Sequence, residues 1–483
     1  MGNNNTVAKL GVIGLASIVI SSMVGGGVFS LPQNMAASAS AAAVLLAWVI
    51  TGFGMYFIAN TFSVLSRVKP DLTAGIYMYA REGFGPYVGF TIGWGYWLCQ
   101  IFGNVGYAVI TMDALNYFFP PHFAGGNNLL SIVCGSALIW GFNFIVLRGV
   151  KQATILNIIG TIGKLVPLLA FCVIMLFAFH ADKFDFNFLG RIAEGGHKLG
   201  DLPTQLKSTM LVTLWSFIGI EGAVVLSNRA KNQAAVSKAT LLGFLGCLVI
   251  YIGLSVLPFG FLTQEQIAAV ANPSTAGVLE KVVGPWGAVF MNCGLLIAVL
   301  SSWLAWTMIT AEIPAAAAEN GTFPKAFAHQ NKVGSPDVSL WVTSALMQLA
   351  MLLVYFSNNA WNTMLSITGV MVLPAYLAST LYLWKLVEDG DFAKLSKTGR
   401  AAALATSVLG TVFALWLLYA AGLKYLFLAA IFLACGIPVF IWARKQRKND
   451  QAIFTGSEKA IVTLLMIAAL AAIYAFGRGL IKL

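Results

Sequence analysis

The sequence predicts an all-α integral membrane protein of about thirteen transmembrane helices, built on a five-helix inverted repeat whose first and sixth spans are broken. Three observations carry this expectation. Of 483 residues, 59% are hydrophobic and 10% charged, whereas soluble domains carry about 25% charged residues. Apolar stretches long enough to cross a bilayer follow one another along almost the whole chain. Two of those stretches contain residues that a regular helix tolerates poorly.

Taken in order, the expected spans are roughly 9–37, 41–65, 86–119, 129–147, 153–180, 207–227, 238–262, 284–311, 338–356, 360–386, 401–421, 423–443 and 459–480. Helix is the only choice for them, because open backbone cannot face lipid. A short re-entrant or interfacial helix is expected at Gly75 to Gly85. Residues 1–8 form a cytoplasmic N-terminus. Residues 9–386 form a ten-helix core with repeats at about 9–180 and 207–386, and 401–483 add further spans. With the N-terminus inside, about twenty of the 29 Lys and Arg residues fall in the cytoplasm and about eight outside. Trp48 and Trp442 read as interfacial anchors.

The net charge of +11 does not point to nucleic acid, because the basic residues sit in short loops between spans. The first apolar stretch, Leu10 to Leu31, runs straight into the pattern of spans, so no cleavable signal is read there. All six cysteines lie in apolar spans without CxxC spacing, which argues against a disulfide framework. The four histidines lie in loops or at span ends. No cofactor and no metal is called for.

The first broken span reads SSMVGGGVFSLP. Each of its consecutive glycines, Gly25, Gly26 and Gly27, costs about 1 kcal/mol relative to Ala in a helix interior. The sixth reads WSFIGIEG, with a glycine and the carboxylate of Glu221 in mid-membrane. Paired interruptions in matching positions of two halves point to a transporter's binding site. Freed amides at a half-helix N-terminus favour an anion, and freed carbonyls accept from an ammonium. A zwitterionic α-amino acid fits both. GGG alone could also serve only for close helix packing; the second interruption, with its buried acid, argues for a site.

The runs GGGVFSLPQN, WSFIGIEG and AAAAENGTFP resemble the amino acid–polyamine–organocation superfamily over roughly residues 9 to 440. Within it the chain looks most like the basic amino acid/polyamine antiporters, above all the arginine/ornithine antiporters, for which SLPQNMAASAS is typical and a thirteenth span is expected. The resemblance implies a LeuT-type fold and a site. Gly25, Gly26 and Gly27 would cradle a carboxylate, and carbonyls near Ser22, Met23, Trp215 and Ile218 would hold the α-amino group. Cys99, Gln100, Asn104, Trp306 and Ser366 would line the side-chain pocket. The arginine/agmatine antiporter resembles the chain as a more distant relative, and against its pattern Gly26 stands where that relative has serine and Ser22 where it has asparagine. Gln100 and Tyr107 also differ around the side-chain pocket, and Lys164 stands in span five where that antiporter is apolar.

Ionisable groups deep in a span are functional by default. Glu221 could sense protons or steer a cation. Lys164 resembles a replacement for a bound sodium ion, its ammonium holding carbonyls of the broken first span. Asp113 and Glu312, nearer span ends, read as structural or gating residues. The expected function is exchange of a basic amino acid such as arginine for ornithine, by alternating access, in a bacterial inner membrane. The alternatives are exchange of an amino acid for its decarboxylation product (histidine/histamine, lysine/cadaverine, ornithine/putrescine), proton-coupled symport, and a non-transporting receptor. The partners are amino acids or amines and membrane lipid, not nucleic acid; the reading allows a homodimer. No nucleophile–base pair suggests an enzyme.

Overall fold

The computed structural model describes residues 11–72, 76–149, 153–187, 199–221, 231, 233–390, 392, 399–447 and 452–481. Among them the secondary structure is helical throughout. The helices are α1 (Val12–Met23), α2 (Leu31–Ala36), α3 (Ala41–Val68), α4 (Ile76–Phe84), α5 (Pro86–Phe118), α6 (Leu129–Leu147), α7 (Ala153–Ala178), α8 (Leu202–Ser216), α9 (Gln233–Val256), α10 (Gln264–Ala268), α11 (Ser274–Val283), α12 (Pro285–Glu319), α13 (Asp337–Val354), α14 (Ala360–Glu388), α15 (Arg400–Ala434), α16 (Ile437–Lys445) and α17 (Gly456–Gly477).

Ten helices among the described residues are long and apolar enough to cross a membrane, and a bent pair makes eleven. Within the 46-residue stretch Arg400–Lys445 the helix breaks at Gly422, φ 76°. Thr406 of α15 meets Asn60 in the last third of α3, and Arg447 meets Asn320 at the end of α12. Both ends of this stretch thus return to one end of the bundle, and it supplies two spans. Counted so, the described residues supply twelve spans, and α8, of 15 residues, opens the expected sixth. The N-terminal segment 1–8, Gly75, and residues 222–227 of the expected sixth span lie outside the described residues. Side chains such as Phe53, Phe177 and Leu464 are exposed where lipid would cover them.

The first span breaks as its glycines predict. Val24 closes α1 by donating to Ile20 O, 2.8 Å, and Gly25 is extended. A 3-10 segment, Gly26–Ser30, then leads into α2, and the two halves meet at 56°. The second break follows α8. Asp201 caps the start of that helix by accepting from Thr204 N, 3.1 Å, and beyond Ser216 the chain turns through Phe217–Glu221 with Gly219 at φ 104°. Only glycine adopts that conformation without strain. A Cβ there would also lie 2.9 Å from the backbone of Ser22, so the two breaks are in direct contact. Ser22 Oγ donates to Gly219 O, 2.9 Å.

Matching devices recur in the two halves. The short helices α4 and α11 each run into a Gly-Pro step, Gly85-Pro86 and Gly284-Pro285, with φ 99° and 87° at the glycines. Each step opens a long helix, α5 of 33 residues and α12 of 35. Pro167 and Pro374 interrupt the fifth and tenth spans. One expectation is corrected: Trp48 is not an interfacial anchor. It is buried, and its Nε1 donates to Ser255 Oγ, 2.6 Å, because its face of α3 packs on α9. Trp442 is exposed, as expected.

Candidate functional site

The two breaks, α5, α12 and α14 enclose a central cavity. Its lining is Ser22, Met23 and Gly25 from the first break, Trp215 and Ile218 from the second, Gln100, Gly103, Asn104 and Tyr107 from α5, Trp306 from α12, and Thr368 from α14. The α5 residues follow i, i+3, i+4 and i+7, one helix face. Asn104 Nδ2 donates to Thr310 Oγ1, 3.0 Å, and Thr310 bonds back to Trp306 O. The amide is thereby fixed to the turn that carries the tryptophan. Asn104 Oδ1 and Thr368 Oγ1 are buried with no partner among the described residues. Buried polar atoms are nearly always partnered, so these two mark where a ligand's donors fit.

Among the described residues no carboxylate lines the cavity. Its volume is about 30 Å³, far below the ~300 Å³ at which ligand pockets begin. As it stands the cavity is too small for an amino acid. Trp215 meets Trp361 edge to face, centroids 5.5 Å apart, and both rings pack over Gly27. Beyond them lies a second space of about 380 Å³, lined by residues at the end of the first span, the first turns of α8, the start of α14, and Gly422.

Two buried ions tie the breaks to the scaffold. Lys164 of α7 donates to Ser21 O, 2.7 Å, and to Ser21 Oγ, 3.1 Å; Ser21 lies in the last turn of α1. Glu221 accepts from Tyr96 Oη of α5, 2.7 Å, from Tyr376 Oη of α14, 3.2 Å, and from Gly219 N, 3.2 Å. Neither ion lines the cavity.

Of the residues expected at the site, Ser22, Met23, Gly25, Gln100, Asn104, Trp215, Ile218 and Trp306 line the cavity. Gly26 and Gly27 lie just behind it, Gly26 against Val299 and Gly27 under Trp215. Cys99 sits one residue off the cavity face of α5 and is fully buried. Ser366 lines the second space instead. Asp113 and Glu312 lie away from the cavity. Tyr107, read from the sequence only as a difference near the side-chain pocket, lines the cavity; sequence reasoning missed Gly103 and Thr368, and the tyrosines that hold Glu221. Helical spacing from Gln100 and Asn104 would have found Gly103.

A many-span bundle with two helix breaks around a buried polar cavity defines a multi-pass membrane transporter. The amino acid permease family model matches residues 10–441, and the chain belongs to that family. Its relatives extend past that point through the last span. An arginine/agmatine antiporter of Chlamydia pneumoniae is 62% identical over 476 residues, 98% of each chain. That of Chlamydia felis is 61% identical over 481 residues, 99% of each. That of Chlamydia trachomatis serovar D is 59% identical over 474 residues, 98% of each.

Proposed function

We propose that this chain is a bacterial inner-membrane antiporter that exchanges arginine for agmatine by alternating access, with its N-terminus in the cytoplasm. The observation that carries the reading is the cavity where both helix breaks meet, lined among the described residues by amides, hydroxyls and indoles and by no carboxylate. Such a lining holds a cation by hydrogen bonds and indole faces, and leaves it free to go. A bare ion pair in low dielectric would bind too tightly for turnover. The names of the relatives favour the decarboxylation product over ornithine as the counter-substrate.

In this reading the amides at Gly25, Gly26 and Gly27 take the α-carboxylate and the carbonyl-rich turn after Trp215 takes the ammonium. Gln100, Asn104, Trp306 and Thr368 face the side chain. Residues 9–386 form the carrier proper. Lys164 stands in place of a bound sodium ion, so exchange needs no sodium. The small cavity supports a cycle in which substrate opens the space that the empty carrier closes.

The test is counterflow in proteoliposomes loaded with arginine, agmatine, ornithine or nothing. Arginine uptake is expected with internal agmatine and not from empty vesicles under a pH gradient. Uptake driven by the pH gradient alone would replace exchange with symport. Equal competition by external leucine would remove the cationic substrate.

A further inference from the structure

The second space, about 380 Å³, reaches the size of a ligand pocket, which begins near ~300 Å³. The central cavity does not. One face of α8 serves both, with Lys207, Leu211 and Trp215 succeeding each other at i, i+4 and i+8. The first two line the outer space and the third lines the inner one. Lys207 is the only charged side chain on that lining among the described residues. Its ammonium lies 4.6 Å from the ring centre of Tyr419 and is half-exposed. Asn34, 4% exposed, also lines the space, and both its Oδ1 and Nδ2 lack a partner among the described residues. Ser366 completes a polar wall opposite. Asp201, the nearest acid on α8, is fully exposed and its carboxylate is occupied by the helix cap.

We propose that this vestibule is a second binding site that takes an α-amino acid by its carboxylate before the central cavity opens. Lys207 is the counter-charge, and the Asn34 amide supplies both a donor and an acceptor. Trp215 lies one turn past Leu211 and Trp361 next to Asn362, both of which line the space. By charge distribution the vestibule faces outward, since it is built on the end of the bundle opposite the basic loops. The consequence rests on the proposed exchange: an amino acid and its decarboxylated amine differ by the one group that Lys207 recognises. The incoming amino acid is drawn in, and the outgoing dicationic amine meets like charge and leaves. The vestibule thus biases the direction of exchange without any change in the central site.

The experiment measures half-saturation on the outer face of oriented vesicles for arginine, argininamide and agmatine, in wild type, Lys207→Gln, Lys207→Arg and Lys207→Glu. Lys207→Gln is expected to raise the value for arginine about two- to fivefold, the range of a water-exposed ion pair. It should not raise the values for argininamide or agmatine. Lys207→Arg should hold the wild-type ratio, and Lys207→Glu should reverse it in favour of agmatine. High salt should shrink every difference. A shift of the same factor for all three substrates, or none for arginine, would overturn the proposal. Should wild type carry neither arginine nor agmatine, the exchange reading fails. The same ratio, taken with the amino acid it does carry and that amino acid's amide, still decides the vestibule.

Discussion

Gly27→Ala tests whether the tryptophan lid must seat on the first break for transport to proceed. A Cβ at Gly27 would lie 2.7 Å from Trp361 Cζ2 and closer still to the outer edge of the Trp215 ring. Carbon contacts are optimal at about 3.5–4.0 Å, so both rings must move. Overpacking of this kind costs roughly 1–3 kcal/mol, a cost to the arrangement in which both rings seat on Gly27. The equilibrium should shift towards an open lid by roughly 5- to 150-fold, at tenfold per 1.4 kcal/mol. Exchange in proteoliposomes should fall by a comparable factor, while thermal unfolding in detergent moves little. Trp215→Ala removes the overlapping ring. The double variant should therefore be no slower than Trp215→Ala alone, the non-additivity expected of groups in contact. If the two losses simply add, or if Gly27→Ala exchanges within twofold of wild type, the lid does not act through this contact.

Lys164→Ala removes the ammonium from Ser21 O and leaves Ser21 Oγ only Thr161 Oγ1; exchange should collapse while the protein remains monodisperse, and in wild type replacing sodium by choline should leave the rate unchanged. Trp306→Leu should weaken arginine binding by the roughly 0.5–2 kcal/mol of a cation–π contact, read by calorimetry. Asn104→Ala should alter the ranking of arginine, ornithine, lysine and histidine in competition, because it removes the Oδ1 acceptor and frees Thr310; an unchanged ranking would move the side-chain pocket elsewhere. Glu458 accepts from Tyr87 N, 2.7 Å, and from Thr455 N, 2.8 Å, joining α17 to the start of α5. Glu458→Ala should destabilise by about 1.5–3 kcal/mol, the range for bonds to a charged group, without changing that ranking.

The breaks and spans were legible because each has a local cause. Three glycines, a mid-membrane acid and runs of apolar residues report on backbone hydrogen bonding within a few positions of themselves. Helix phase was less legible. On α5, Gln100 and Asn104 were correctly placed, yet Cys99 was set beside them although it is a neighbour in sequence and not on the helix face. On α14 the sequence points to Ser366, where Thr368 faces the cavity; the two are about 200° apart on a helix. A buried span offers no polar face from which to read rotation, since lipid and protein neighbours are both apolar. Trp48 failed for a related reason. An indole near a span end satisfies its N–H either at the interface or, as here, on a hydroxyl of another helix. The clamp around Glu221 joins residues 96, 221 and 376, which no local pattern connects.

A helix break leaves a carbonyl end and an amide end, and the two breaks treat them oppositely. In the first, a carbonyl of the last turn, Ser21 O, is taken by the protein's own cation, Lys164. In the second, an amide, Gly219 N, is taken by the protein's own anion, Glu221. On the proposed reading the first break thus offers its amides and the second its carbonyls, one sign to each half of a zwitterion. The bound ions also remove the incentive for either break to re-form a continuous helix, because each would have to abandon a buried charge-assisted bond. On that reading the central site, about 30 Å³ as it stands, can empty without losing the geometry that receives the next substrate. Under alternating access an exchanger needs that property, since it must release one molecule and accept a similar one before it turns.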